Sequence, residues 1–544
     1  MVPIRSDIHD FLCRSCNPKC PIGSVSTALA KMFVSGDLDT LNKCLVSGVD
    51  PNLSLPGGYT PLTTVIKNAE PERWVIATKI LLEAGASPNV KDPSCGRTVL
   101  SLLAESGKSE LVLLALKNGA NYTTSDPDGE TPLSIAVYYR HLECINFLLQ
   151  YGADPNTICS DGNSVLMQAV GRAHSVGIHR TLSCVKALLH NGARTDFVGR
   201  GGTTLLMAAG KRSDYVKELL KAGANPDSTD DQGETALMKA VDYDAVDVVQ
   251  ALVRGGANVN IQSNFGFVAA MTASSEEVMV LLLENDADLD MIDYDGNTIL
   301  HHQTGRDRSV LCNLLLNYGA KIDAINFMGD TPLQLSVRSR NYITSNLLLD
   351  RGSKPSSVNK RCISILQNAI VPWDYFNTHN LFTEFNTSDS ASQYLFHTTE
   401  CGGRVTEKTL SLVKRLLVQG ADVNHSGEAG VSALMLATAT GDATLIQSLL
   451  NAGVHVNATD EEGRTALAYS CRWGYENAAR MLLSSGSLVN TVDKHNNIPV
   501  FYAAHHCHTD ILILLSVELA FYFKECQAQH SMYLDYIKTN RENK

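Results

Sequence analysis

Three groups of residues have the types and spacing to do chemistry. In IDYDGNTIL (292–300), Asp293, Asp295 and Gly296 fall where a calcium loop places its third and fifth ligands and its sharp-turn glycine. That loop also needs hard oxygens at its first and last positions, which here would be Met291 and His302, so both ends fail. CRSCNPKC sets Cys13, Cys16 and Cys20 close together like half of a zinc knuckle. A closed zinc site needs four ligands and no second close cysteine pair follows, so these read as plain thiols. HHCH places His505, His506 and His508 near the C-terminal end, where solvent or partner contact is a better reading than metal. The chain has no phosphate-cradling glycine loop, nucleophile elbow or paired metal-binding helix. No residue is therefore assigned to catalysis, to a cofactor or to a metal.

Bulk properties agree. The 544 residues are 44% hydrophobic and 19% charged, an ordinary globular composition. A net charge of -12 argues against a nucleic-acid binder, which needs a basic face. No apolar run is long enough to span a membrane, and the N-terminus lacks a signal-peptide core. The fourteen cysteines, scattered through helix-like segments, read as mostly buried free thiols. A cytoplasmic location follows as the expectation.

The acidic-glycine string recurs, and its recurrence explains it better than calcium does. Steps of 33 residues join Gly96 to Gly129 to Gly162, Gly233 to Gly266, Gly296 to Gly329, and Gly430 to Gly463. GYTPLTTV, GETPLSIA, GETALMKA, GDTPLQLS and GRTALAYS open such units, and LLEAGASPN, LLQYGADPN, LLKAGANPD, LVRGGANVN and LLVQGADVN close them. A 33-residue period with a T-P-L-H-x-A opening resembles the ankyrin repeat. The resemblance covers about fourteen units between residues 23 and 519. It implies an all-α repeat solenoid of helix-turn-helix units with β-hairpin connections. The pattern is also similar to the ankyrin segment of ankyrin-and-MYND-finger proteins, without their Cys/His finger.

Each unit has a physical logic. Threonine and proline open the first helix, as cap and pre-set first turn. Leu133 and Ala136 share one face of that helix. Phe147, Leu148 and Leu149 are expected to bury from the second helix, which Gly152 ends in a left-handed conformation. Asp293, Asp295 and Gly296 then belong to a hairpin tip between units. Longer steps mark insertions, around NAEPERW, around RAHSVGIHRT, and over residues 370–406, within a repeat that CISILQNA at Cys362 opens in place of the glycine-led string. The expected organisation is a terminal segment (1–22), repeats (23–369), an insertion between two helices of one repeat (370–406), repeats (407–519) and a tail (520–544).

Stacked repeats present an extended surface for binding. In the ankyrin family, that surface consists of the hairpin tips and first-helix ends, and it binds proteins. The variable helix-end positions here hold Tyr138, Tyr139, Lys211, Arg212, Tyr243, Arg338, Arg472, Trp473, His505 and His506. The tips of three successive units hold Phe265, Phe267, Tyr294, Phe327 and Met328. Aromatics and arginines dominate interface energies. His301 occupies the histidine of the T-P-L-H position, where it is expected to bond neighbouring backbone. The function read from this is a non-enzymatic protein–protein interaction scaffold, without cofactor, binding other proteins and neither nucleic acid nor membrane, and monomeric by itself. The alternative is a substrate-recognition adaptor of a larger assembly such as a ubiquitin ligase, although FYFKECQAQHSMYLDYIKTNRENK does not resemble a SOCS box.

Overall fold

The first helix of a unit begins where a side chain can replace its missing backbone partners. Thr131 Oγ1 accepts the Ser134 amide at 3.2 Å, Ser134 Oγ accepts the Thr131 amide at 2.8 Å, and Pro132 occupies the first turn. The helix Pro132–Tyr139 follows, with Leu133 and Ala136 buried. The second helix, Leu142–Gln150, ends at Gly152 (φ 97°), where the Gly152 and Ala153 amides return to the carbonyls of Leu149 and Leu148 at 3.0 Å. Cys144, Ile145 and Leu148 are fully buried in that helix, whereas Phe147 is only half-buried. Of the expected trio, Leu148 and Leu149 are buried and Phe147 is not. Helical spacing places the branch points i, i+3 and i+4 against the neighbours, and Phe147 falls at the margin of that stripe.

The structure, a computed structural model, describes residues 38–68, 71–171, 178–355, 358–360, 363–370 and 406–520. The pairing of a first helix with a second recurs through them, and within each of the two compact units below successive pairs pack on one another. The described residues form two compact units, one ending at Asn264 and one beginning at Phe265. Cys13, Cys16, Cys20 and Cys362, most of the 370–406 insertion, and residues 521–544 lie outside the description. The helices that flank the insertion, Ile365–Ile370 and Glu407–Val418, pack as one pair, with Thr406 capping the second.

Between repeats the chain makes a tight turn closed by a single antiparallel bridge, for example Lys91 with Thr98, Ile292 with Thr298, and Ser426 with Ser432. The hairpins are that short because a capped helix begins directly after the bridge residue. Among the described residues the buried cysteines include Cys144, Cys184 and Cys312. Burial pushes their thiols up, to about 12, about 11 and about 12, so they pack as small hydrophobes.

An amide clamp joins neighbouring turns. Asn424 Nδ2 donates to the Gly453 carbonyl while its Oδ1 accepts the His455 amide, and Asn457 does the same to Gly486 and Leu488. Asn52, Asn89 and Asn156 repeat the arrangement. At Asp227 the acceptor half survives, with the Asn258 amide at 2.8 Å, but a carboxylate has no hydrogen to donate. Asp227→Asn should therefore raise the unfolding free energy by about 0.5–1.5 kcal/mol, the net worth of one hydrogen bond. Urea titration of both chains checks this, and an unchanged midpoint would refute it.

Candidate functional site

The tip at 292–298 is built around one carboxylate. Asp293 is buried, and its Oδ1 accepts the amides of Asp295 at 2.9 Å and Asn297 at 2.8 Å. Its Oδ2 accepts Asn297 Nδ2 at 3.2 Å and His302 Nε2 at 2.8 Å. Gly296 completes the turn at φ 79°. The acid that resembled a calcium ligand faces its own backbone. Added Ca²⁺ should leave thermal stability unchanged beyond an equal ionic strength of Mg²⁺, and a saturable, chelator-reversible rise in melting temperature would overturn this reading. Among the described residues no group of three or more His, Cys, Asp or Glu side chains is arranged to hold a metal ion.

The same plan recurs with different partners. Asp126, Asp230, Asp460 and Asp493 accept two amides each, and Asn326 takes the place in its turn. Nine residues after the tip acid, a first-helix side chain reaches back to it: Lys239 to Asp230, His302 to Asp293, Tyr469 to Asp460, and Tyr502 to Asp493. This interval of nine is visible in the sequence, but its meaning depends on the turn bringing the two ends together.

Successive tips are stitched by backbone. Within the second unit the Tyr294 amide donates to the Phe265 carbonyl at 3.3 Å, the Phe327 amide to Asp295 at 2.9 Å, and the Lys360 amide to Met328 at 2.9 Å. The ladder brings together four of the five tip residues singled out. Phe265, Tyr294, Phe327 and Met328 are 58%, 69%, 56% and 39% exposed. The ring of Phe327 lies over Gly296, where a Cβ would come within 2.8 Å of its Cδ1, so part of its area is spent on the adjacent tip.

Phe267 is a correction. It is half-buried with its ring centroid 5.2 Å from that of His302, because it follows the turn glycine and points toward the first helices. The sequence reading missed Ile325, which is 68% exposed in the same row. Its signal was position: the residue before the tip-acid position, which Cys159, Gly199 and Asp293 occupy in their turns, is also exposed and β-branched at Ile158, Val198 and Ile292.

The helix-end residues divide. In the first unit Tyr138, Tyr139 and Tyr243 are exposed. Tyr139 donates its hydroxyl to Glu105 at 2.9 Å, a bond that holds the phenol's pKa above its ordinary value, and Lys211 Nζ sits 5.7 Å over the Tyr243 ring. Arg212 serves packing instead, donating to the carbonyls of Ala209 and Ala208 at 2.8 and 2.9 Å. In the second unit Arg338 is half-buried and pinned to Asp330 at 2.9 Å, and Arg472 lies 5.6 Å from the Trp473 ring. Burial lowers the Arg472 pKa. His505 is exposed, while His508 Nε2 bonds the Arg472 carbonyl at 3.0 Å, as His141 bonds Glu105.

His301 bonds backbone as expected. Its Nδ1 accepts the Thr298 amide at 3.2 Å, which leaves Nε2 to donate to the Asp330 carbonyl at 3.1 Å. This pair of bonds requires the neutral ring, and burial lowers the pKa in the folded state. Below about pH 6.5 the unfolded chain takes up a proton that folded His301 resists, so stability falls as pH drops through that value. Gln334 and Gln367 do the same capping work without titrating. His301→Gln should hold stability at neutral pH and flatten part of the acid decline in denaturation curves at pH 7 and pH 5. An equally steep decline would refute the assignment.

The family profile described as ankyrin repeats (3 copies) matches residues 76–159, 104–196, 166–263, 267–359 and 405–493. The E3 ubiquitin-protein ligase KEG of Arabidopsis thaliana is 26% identical over 276 residues, which are 41% of this chain and 16% of that protein. The ankyrin repeat and KH domain-containing protein mask-1 of Caenorhabditis elegans is 27% identical over 270 residues, 48% of this chain and 10% of that one. Among solved structures, the ankyrin repeat domain of Bcl-3 is 26% identical and aligns 42% of this chain with 99% of its own at a TM-score of 0.36. The chain thus spans under a fifth of the length of either relative. The profile matches cover more than half of the chain, and together with the capped helix pairs and bridged turns they make it a member of the ankyrin-repeat family.

Proposed function

We propose that this protein is a non-enzymatic scaffold that binds partner proteins through the tip row of its second unit. Ankyrin repeats are protein-interaction modules, and the observation that carries the finer reading is the row Phe265, Tyr294, Ile325, Phe327 and Met328, all exposed on adjoining tips. Contiguous exposed apolar area of this kind marks interaction sites. The tip acids and His301 described above are engaged in turns and caps, which supports binding over catalysis. The similarity to a ubiquitin ligase covers 16% of that enzyme, so it supports a shared binding module more than an adaptor role in ligation.

A photo-reactive amino acid at position 294 or 327 should crosslink the full chain to a discrete protein in a native extract. The same probe at Glu277, exposed on a second helix, should not. Equal crosslinking from all three positions, or from 277 alone, would refute the placement.

A further inference from the structure

We propose that the cleft beside the tip row selects an acidic side chain on an extended partner segment, held between Arg306 and Arg338 while an apolar neighbour seats on Tyr294, Phe327 and Met328. The inference rests on the reading of the tip row as a protein-binding surface and adds the chemistry of what is bound. The cleft has a volume of about 600 Å³ and lies between the helices Ile299–Gly305 and Pro332–Arg338 and the tips that precede them. Both arginines line it, as does Met328 from the exposed row.

The charges inside are unequally spent. Asp330 is buried and accepts both Arg338 Nη1 and Asn359 Nδ2 at 2.9 Å, so its carboxylate is fully engaged. Arg306 is exposed, and its Nη1 donates to the neutral Met271 carbonyl at 2.9 Å, which fixes the guanidinium without cancelling its charge. Each arginine is anchored through one nitrogen, so little rotamer freedom remains to be lost on binding. Asn297 and Asn326 bond each other at 2.9 Å and offer no competing cation. His302 and His301, the histidines of the wall, donate to Asp293 and to the Asp330 carbonyl, and burial disfavours the charged form of both.

Asp295 stands exposed at the tip on the same cleft, so the attraction for an acidic group comes from direct contact with the Arg306 guanidinium and not from the net charge of the walls. The aromatic tips adjoin this cleft through the Phe327-to-Asp295 backbone bond, so one extended segment can reach both. An apolar residue followed within a few positions by Asp or Glu fits this juxtaposition.

Random peptides displayed on phage and selected on the full chain test this. The enriched sequences should pair an aromatic or aliphatic residue with a nearby Asp or Glu. In fluorescence polarisation, Arg306→Gln should weaken a labelled selected peptide about tenfold or more, the worth of a charge-assisted hydrogen bond. Changing the peptide's Glu to Gln should cost a similar factor in the parent chain and little in Arg306→Gln. Arg338→Lys, which keeps the charge beside Asp330, separates recognition from folding. Binding lost in Tyr294→Ala but unchanged in Arg306→Gln would overturn the acidic subsite and leave the tip row standing. Binding indifferent to both variants would overturn both, as would enrichment of basic or uncharged peptides for the subsite alone.

Discussion

Leu219→Ala lowers the unfolding free energy by about 2–5 kcal/mol, the range for emptying a buried leucine site, and the damage stays near residue 219. Leu219 is fully buried in the helix Ser213–Lys221, which packs against the second helices before and after it, Ile178–His190 and Val246–Arg254. A repeat array holds together through contacts between neighbours, so its stability is a sum of unit and interface terms. Hydrogen exchange should rise across residues 178–254 and remain at its parent level in residues 433–484. Uniform loss of protection along the whole chain would show that folding is a single global event and would refute the additive picture.

Tyr294→Ala combined with Phe327→Ala weakens the partner identified by crosslinking more than tenfold, since truncating a buried aromatic anchor often costs over about 2 kcal/mol. Both rings are more than half exposed, and the ladder at these positions runs through backbone atoms that alanine keeps. The melting temperature should therefore move little, with Phe327 losing only its contact over Gly296. Ile343→Ala, which removes an apolar side chain of 68% exposure from the second helix Tyr342–Asp350, should bind normally. Parent affinity in the double variant would remove the tip row from the binding surface and move attention to Tyr138 and Tyr139. A large fall in melting temperature would show that the row is packing.

What the residues alone determined is the local grammar. Thr-Pro starts and Gly152-type stops are read off one unit, because caps, left-handed turns and helical stripes depend on residues a few positions apart, and the 33-residue period is read off their recurrence. The tip identity of Asp293, Asp295 and Gly296 was legible for the same reason. Only the tertiary structure decided what depends on the next unit. Phe327 can lie over Gly296 only because a neighbouring tip lies there. Phe267 turned from a surface residue into a partner of His302, since the side it faces is set by the following helix. Arg338 and Arg306 became walls of one cleft although a whole repeat step separates their helices, and Arg338 is anchored through one nitrogen to Asp330 eight residues before it. Periodicity states which positions are equivalent from unit to unit. Whether an equivalent position is exposed, pinned or paired depends on the side chains that the adjacent repeat happens to bring against it.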